Sequence, residues 1–134
     1  MGYVKVTARV LFDTCVWIDF LRFPDGRAGD LLAEALEDDT ALLCGAITTE
    51  LLQGAKSSKE NKQLDLIFSS IESLPCDESL WHEAGLVLQK LRQQGITVPL
   101  TDALIAVIAK KHHVDVVTLD KHFKYLPVKG WRNK

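Results

Sequence analysis

Val10-Leu11-Phe12-Asp13-Thr14 is the stretch from which the fold is read. Three large apolar residues in a row leave no polar alternate position, so a strand made of them is buried on both faces, as in a parallel sheet. The run then stops on a carboxylate. In a parallel α/β sheet this is the carboxyl edge of the strand, where such folds place their sites. Outward from this stretch the pattern recurs. Thr40-Ala41-Leu42-Leu43-Cys44 reads as a second buried strand, and Val114 to Leu119 reads as another, ending at Asp120. A short strand is expected near Leu74-Pro75 and a final edge strand from Val128, while Val4, Val6 and Ala8 alternate into the first.

Helical spacing fills the intervals. Val16-Trp17-Ile18 with Phe20-Leu21 form a first helix, Pro24-Asp25-Gly26 a turn, and Ala28, Leu31, Leu32, Ala35 and Leu36 one face of a second helix. Thr48 or Thr49 is expected to cap a short helix with Glu50 in its first turn. Ser57 and Glu60 have capping-box spacing ahead of Leu64, Ile67, Phe68 and Ile71. Asp77 caps a helix with a stripe of Leu80, Ala84, Val87, Leu88 and Leu91, and Gly95 stops it. Thr101 is expected to cap Asp102 to Ala109, a segment apolar nearly all round and therefore central. Strands alternating with helices give an α/β fold with a central, mainly parallel sheet of four to five strands flanked by helices.

With 134 residues, 47 % apolar and 25 % charged, the chain suits one globular domain spanning 1–134 and excludes a disordered or collagen-like polymer. Sixteen basic against eighteen acidic residues give a net charge of −2, which argues against coating nucleic acid by bulk charge. Cys15, Cys44 and Cys76 form no C-x-x-C pair, so they read as buried free thiols in a reducing compartment. No secretory signal and no membrane-spanning run is read from the sequence, so the expected location is cytoplasmic.

Four acids map to one edge of this fold. Asp13 follows the first strand, Glu50 follows the second, Asp102 opens the central helix, and Asp120 follows the strand ending at Leu119. Each has an ordinary explanation as a cap, a turn residue or a helix-dipole partner. Together, at separations of 37, 52 and 18 residues, they would repel one another unless neutralised. A divalent cation removes the conflict, and oxygen ligands without a Cys or His cluster favour Mg²⁺ or Mn²⁺ over Zn²⁺. Metal-assisted phosphoryl transfer is the chemistry that best uses such a site.

Four motifs, in order, carry a family resemblance. Phe12 to Leu21 (FDTCVWIDFL), Thr48-Thr49-Glu50-Leu51, Pro99 to Ala106 (PLTDALIA) and Val117 to Phe123 (VTLDKHF) resemble the PIN-domain ribonucleases, and within them the VapC toxins of bacterial type II toxin–antitoxin modules. The resemblance spans roughly residues 8 to 126. It implies a metal-dependent endoribonuclease whose acidic site is Asp13, Glu50, Asp102 and Asp120, with Thr14 and Thr118 supporting the carboxylates. It also implies an RNA substrate, a cognate antitoxin that blocks the site, and a homodimer. The stretch before Val10 is longer than is usual in the family.

Other residues weigh less. Arg22, Arg27, Lys56, Lys59, Lys62, Lys121 and Lys124 suit either RNA phosphates or an ordinary solvated surface. Trp17, Phe20 and Leu21 suit either an antitoxin surface or the core. His112-His113 reads as a solvated helix end, and His122, beside Asp120, as a phosphate contact or an exposed turn residue. An aspartate-nucleophile phosphatase needs a second Asp two residues after the first, where this chain has Cys15. A catalytically silent binding protein and a DNA-cutting nuclease are the remaining alternatives.

Overall fold

The computed structural model describes residues 8–22, 27–128 and 130–132. The expected alternation before residue 8 and the turn at Pro24-Asp25-Gly26 lie outside these residues. The element order is β1 (Val10–Phe12), α1 (Thr14–Arg22), α2 (Arg27–Glu37), β2 (Ala41–Cys44), α3 (Gly45–Gly54), α4 (Ser58–Ser69), β3 (Ser73–Leu74), α5 (Glu78–Gln93), α6 (Leu100–Lys111), β4 (Asp115–Thr118), a 3₁₀ turn (Lys121–Tyr125) and β5 (Gly130–Arg132). The five strands lie in the order β3-β2-β1-β4-β5. Every pairing is parallel, with Leu11 opposite both Leu42 and Val116.

Parallel pairing places all the carboxyl ends on one edge of the sheet. β1 has β2 on one side and β4 on the other, so the chain leaves it in opposite directions in its two halves. That is the topological switch point at which such sheets open a crevice. The double burial expected of the apolar runs is present: Leu11, Leu42, Leu43 and Val116 are at most 1 % exposed. α6 is the central helix, with every residue from Asp102 to Ala109 buried. It packs on α5, α3 and β4, while α1 packs on α2 and α3.

Local chemistry sets most of the element ends. Ser57 Oγ accepts the Glu60 N–H at 3.1 Å, and Asp77 Oδ1 accepts the Leu80 N–H at 3.1 Å, as the capping patterns require. The Glu60 carboxylate reaches the Lys56 N–H instead of closing the box on Ser57. Gly95 ends α5 in the left-handed region, at φ 79°.

Several boundaries differ from the sequence reading. α1 starts at Thr14, ahead of Val16: the Asp13 carbonyl accepts the Val16 N–H at 2.9 Å, and its Oδ1 accepts the Thr14 N–H at 2.8 Å. α3 starts directly after β2 with Cys44 as an extended N-cap, so Thr48 and Thr49 are interior and Glu50 stands beyond the first turn. α6 starts at Leu100 with Pro99 as its N-cap, so Thr101 lies inside the helix and its hydroxyl is free for another partner. β4 stops at Thr118, leaving Leu119 outside, and Val128 precedes β5. Trp17 belongs to the core at 0 % exposure, edge-on to Phe20 at 6.3 Å, and so does not face a partner. Cys44 is buried, but Cys15 and Cys76 are only half-buried, and all three are free. Among the described residues no helix is long and apolar enough to cross a membrane.

Candidate metal centre

The site assembles where β1, α3, α6 and the turn after β4 meet at the carboxyl edge. Asp13 is 3 % exposed, and its backbone N–H donates to Val117 O at 2.9 Å, which fastens the end of β1 to β4. Its Oδ2 accepts the Thr118 hydroxyl at 2.8 Å and the Cys15 thiol at 3.4 Å. Burial pushes this carboxyl up, and the hydrogen bonds from Thr118, Thr14 and Cys15 oppose that rise because they favour the anion.

Thr118 is fully buried and does two things at once. Its hydroxyl donates to Asp13, and its oxygen accepts the Asp120 N–H at 2.9 Å. One side chain therefore sets the register between two of the predicted acids. Cys15 Sγ adds a second link to the same segment by accepting the Leu119 N–H at 3.4 Å. Burial, followed by the Asp13 charge, pushes the Cys15 thiol up to about 11, so it stays protonated and serves as a donor.

Glu50 comes from α3 and is held from both sides. Thr14 donates to its Oε1 at 2.7 Å, and Thr101 donates to its Oε2 at 3.3 Å. Asp102, at the N-terminus of α6, is the acid in conflict with its surroundings. The helix dipole favours an anion there, yet burial, then the proton shared with Asp120, then the charges of Asp13, Asp120 and Glu50 push its carboxyl up to about 8. Its Oδ2 is buried and has no hydrogen-bond partner. Asp120 moves the other way: burial opposes its charge, but the His122 N–H, the proton on Asp102 and the His122 ring outweigh it and lower the carboxyl below its ordinary value. Asp120 also caps the 3₁₀ turn by accepting the His122 N–H at 2.9 Å.

Thus all four predicted acids gather at one edge, in two manners. Asp13 and Glu50 have both carboxylate oxygens engaged by hydroxyl, amide or thiol donors. Asp102 and Asp120 face a common point, which they share with His122: one ligand atom from each of the three lies within 4.8 Å of the others. Two carboxylates whose charges oppose one another, with a buried oxygen left unpaired, fit a divalent cation as the missing partner. Thr14 and Thr118 stand where the sequence placed them, as donors to the carboxylates. The sequence reading missed Thr101 and Cys15. It treated the first as a helix cap and the second as a buried free thiol and the residue that rules out a phosphatase. The i, i+2 spacing of Asp120 and His122 was the one available signal for His122.

The sequence matches the PIN domain family over residues 10–129. Two similar curated proteins are VapC ribonuclease Mb1587 of Mycobacterium bovis and ribonuclease VapC11 of Mycobacterium tuberculosis. Each is 27 % identical over 118 residues, covering 85 % of this chain and 88 % of its own. Among solved structures, VapBC2 from Rickettsia felis, bound to a promoter DNA fragment, superposes with a TM-score of 0.76 at 19 % identity, covering 93 % of this chain and 98 % of that one. VapBC-1 from nontypeable Haemophilus influenzae gives 0.75 at 17 % identity, covering 92 % and 96 %. At these identities the structural likeness speaks for the fold, and the family match accounts for nearly the whole chain: it belongs to the PIN domain family.

Proposed function

We propose that this chain is a divalent-cation-dependent endoribonuclease of the VapC type, acting in the cytoplasm and held silent by a cognate antitoxin. The observation that carries the reading is the buried, unpaired Asp102 Oδ2 among acids that cannot all stay ionised alone. The relatives named ribonucleases support RNA as the substrate. The structures of VapBC complexes support a protein partner. Pairing into a homodimer is the remaining expectation of the VapC resemblance.

Asp13, Glu50, Asp102 and Asp120 would hold Mg²⁺ or Mn²⁺, with Asp102 and Asp120 offering the least engaged oxygens. Such an ion supplies a water of lowered pKa and stabilises the charge on the leaving oxygen of a phosphodiester. The chain's own part is preorganisation. Thr118 and Cys15 fix Asp13 with bonds that favour its anion, and Thr14 and Thr101 clamp Glu50, so that no side chain has to reorganise as charge develops. Beside Glu50, between α1, α3 and α4, lies a cavity of about 170 Å³ lined in part by Ile18, Leu21, Arg22, Leu51 and Leu64. An apolar partner segment suits it and would cover that flank of the site.

The test is cleavage of single-stranded and hairpin RNAs by the purified protein with chelator, Mg²⁺ or Mn²⁺. Cutting that requires the ion and disappears in Asp13→Ala is expected. Wild-type protein that binds the ion yet cuts no RNA would favour a silent binding protein, and cutting by Asp13→Ala at the wild-type rate would overturn the site assignment.

A further inference from the structure

We infer that His122 is a direct nitrogen ligand in this metal centre, and that the centre therefore prefers first-row transition ions such as Mn²⁺, Co²⁺ or Zn²⁺ to Mg²⁺. The inference rests on the metal-centre reading above and deepens it.

Three observations converge on His122. Its Nδ1 lies 2.7 Å from Asp120 Oδ1 and 3.7 Å from Asp102 Oδ2. Ligand atoms side by side on one cation with bonds of about 2.1 Å stand about 3 Å apart, so these spacings suit a shared ion. Second, Nδ1 is buried without a hydrogen bond, although 44 % of the side chain is exposed. The short approach to Asp120 is an ion-pair contact, and the ring nitrogen has no hydrogen-bond partner. Third, Asp102 Oδ2, in a side chain only 7 % exposed, is the second unsatisfied atom and faces the first. Two orphaned polar atoms and an adjoining carboxylate oxygen share one point, and a cation there pairs all three.

Local structure explains why the ring is delivered. Asp120 caps the 3₁₀ turn by accepting the His122 N–H at 2.9 Å, and this returns residue 122 to the side of the carboxylate that caps it. Phe123, buried at 3 %, anchors the turn from beneath. The ring is thus held against the acids by a backbone bond and a buried neighbour, as a rigid site requires. The donor chemistry then sets the preference. Mg²⁺ takes oxygen ligands and keeps its waters, whereas imidazole favours later first-row ions, along which affinity rises.

Calorimetric titration of Mg²⁺ and Mn²⁺ into wild type, His122→Ala, His122→Asn and Asp102→Asn tests this without turnover. His122→Ala should lose about tenfold or more in Mn²⁺ affinity and under about twofold in Mg²⁺ affinity. His122→Asn, which offers an oxygen instead, should bring the two affinities together. Electron spin-echo spectra of bound Mn²⁺ should show imidazole nitrogen modulation in wild type and none in His122→Ala. Unchanged Mn²⁺ affinity and modulation in His122→Ala, with binding lost in Asp102→Asn, would overturn the ligand role and leave the acidic centre standing. Wild type that binds neither ion would overturn both.

Discussion

Asp102→Asn in the metal-free protein is the most telling perturbation of the acidic cluster. Asp102 is 5 % exposed, and its carboxyl is raised from 3.8 to about 8 by burial, the proton shared with Asp120 and the neighbouring charges. A carboxyl raised on folding stabilises the folded state fully below its unfolded pKa of about 4. That contribution is lost as pH rises through about 8, because the folded chain holds a proton that the unfolded chain has released. At about 1.4 kcal/mol per unit the whole shift amounts to about 6 kcal/mol, and water entry with local relaxation reduces the expectation to about 2–4 kcal/mol. Against a total stability of about 5–15 kcal/mol for an ordinary domain, that is decisive. Asn keeps the shape and stays neutral, so the variant should show a flatter stability profile between pH 5 and pH 9. It should be the more stable protein at pH 9. Urea unfolding followed by circular dichroism at pH 5, 7 and 9, with chelator present, reads both effects, and the difference between the two proteins reports the Asp102 carboxyl together with its coupling to Asp13, Asp120 and Glu50. Adding Mn²⁺ at a hundred times its dissociation constant should then stabilise wild type by about 2.7 kcal/mol and the variant by far less. A wild-type profile as flat as the variant's, or a variant no more stable at pH 9, would refute the claim of repulsion among these acids.

Other positions give independent checks. Thr118→Val removes a buried hydroxyl that donates to Asp13 and accepts from Asp120; the melting temperature should fall by roughly 5–15 °C, and a fall under about 2 °C would show that the two bonds are replaced. Thr14→Val frees Glu50 Oε1 and should slow RNA cleavage by about 10–100-fold with little change in melting temperature, while Thr14→Ser restores it; equal rates in all three would remove Glu50 orientation from the mechanism. Gly29→Ala places a Cβ 3.1 Å from Phe20 Cα, where α1 and α2 approach, and should cost about 1–3 kcal/mol in chemical denaturation with the metal affinity unchanged.

The strands and acids were readable in the sequence because each carries a local signature. Doubly buried strands leave uninterrupted apolar runs such as Leu42-Leu43 and Val116-Val117, and an acid directly after such a run marks the carboxyl edge. The capping residues Ser57 and Asp77 were likewise legible, since their partners lie three residues away. What escaped was decided by long-range partners. Thr101 has the look of a cap, but Pro99 already starts the helix and the hydroxyl turns to Glu50, a bond spanning 51 residues of sequence. Cys15 reads as a plain apolar residue, and its bond to the Leu119 N–H spans 104. Trp17 reads equally as surface or core until α1 is seen packed between α2, α3 and β4. His122 needed the 3₁₀ turn, which has no apolar periodicity to announce it.

The central claim, an RNA-cutting centre built on Asp13, Glu50, Asp102 and Asp120, is tested most directly by mapping RNA 5′ ends in cells after brief induction of wild type or Asp102→Ala. A discrete set of new ends in wild type, absent from Asp102→Ala at equal protein levels, is the predicted result. Identical end profiles for the two proteins would contradict it.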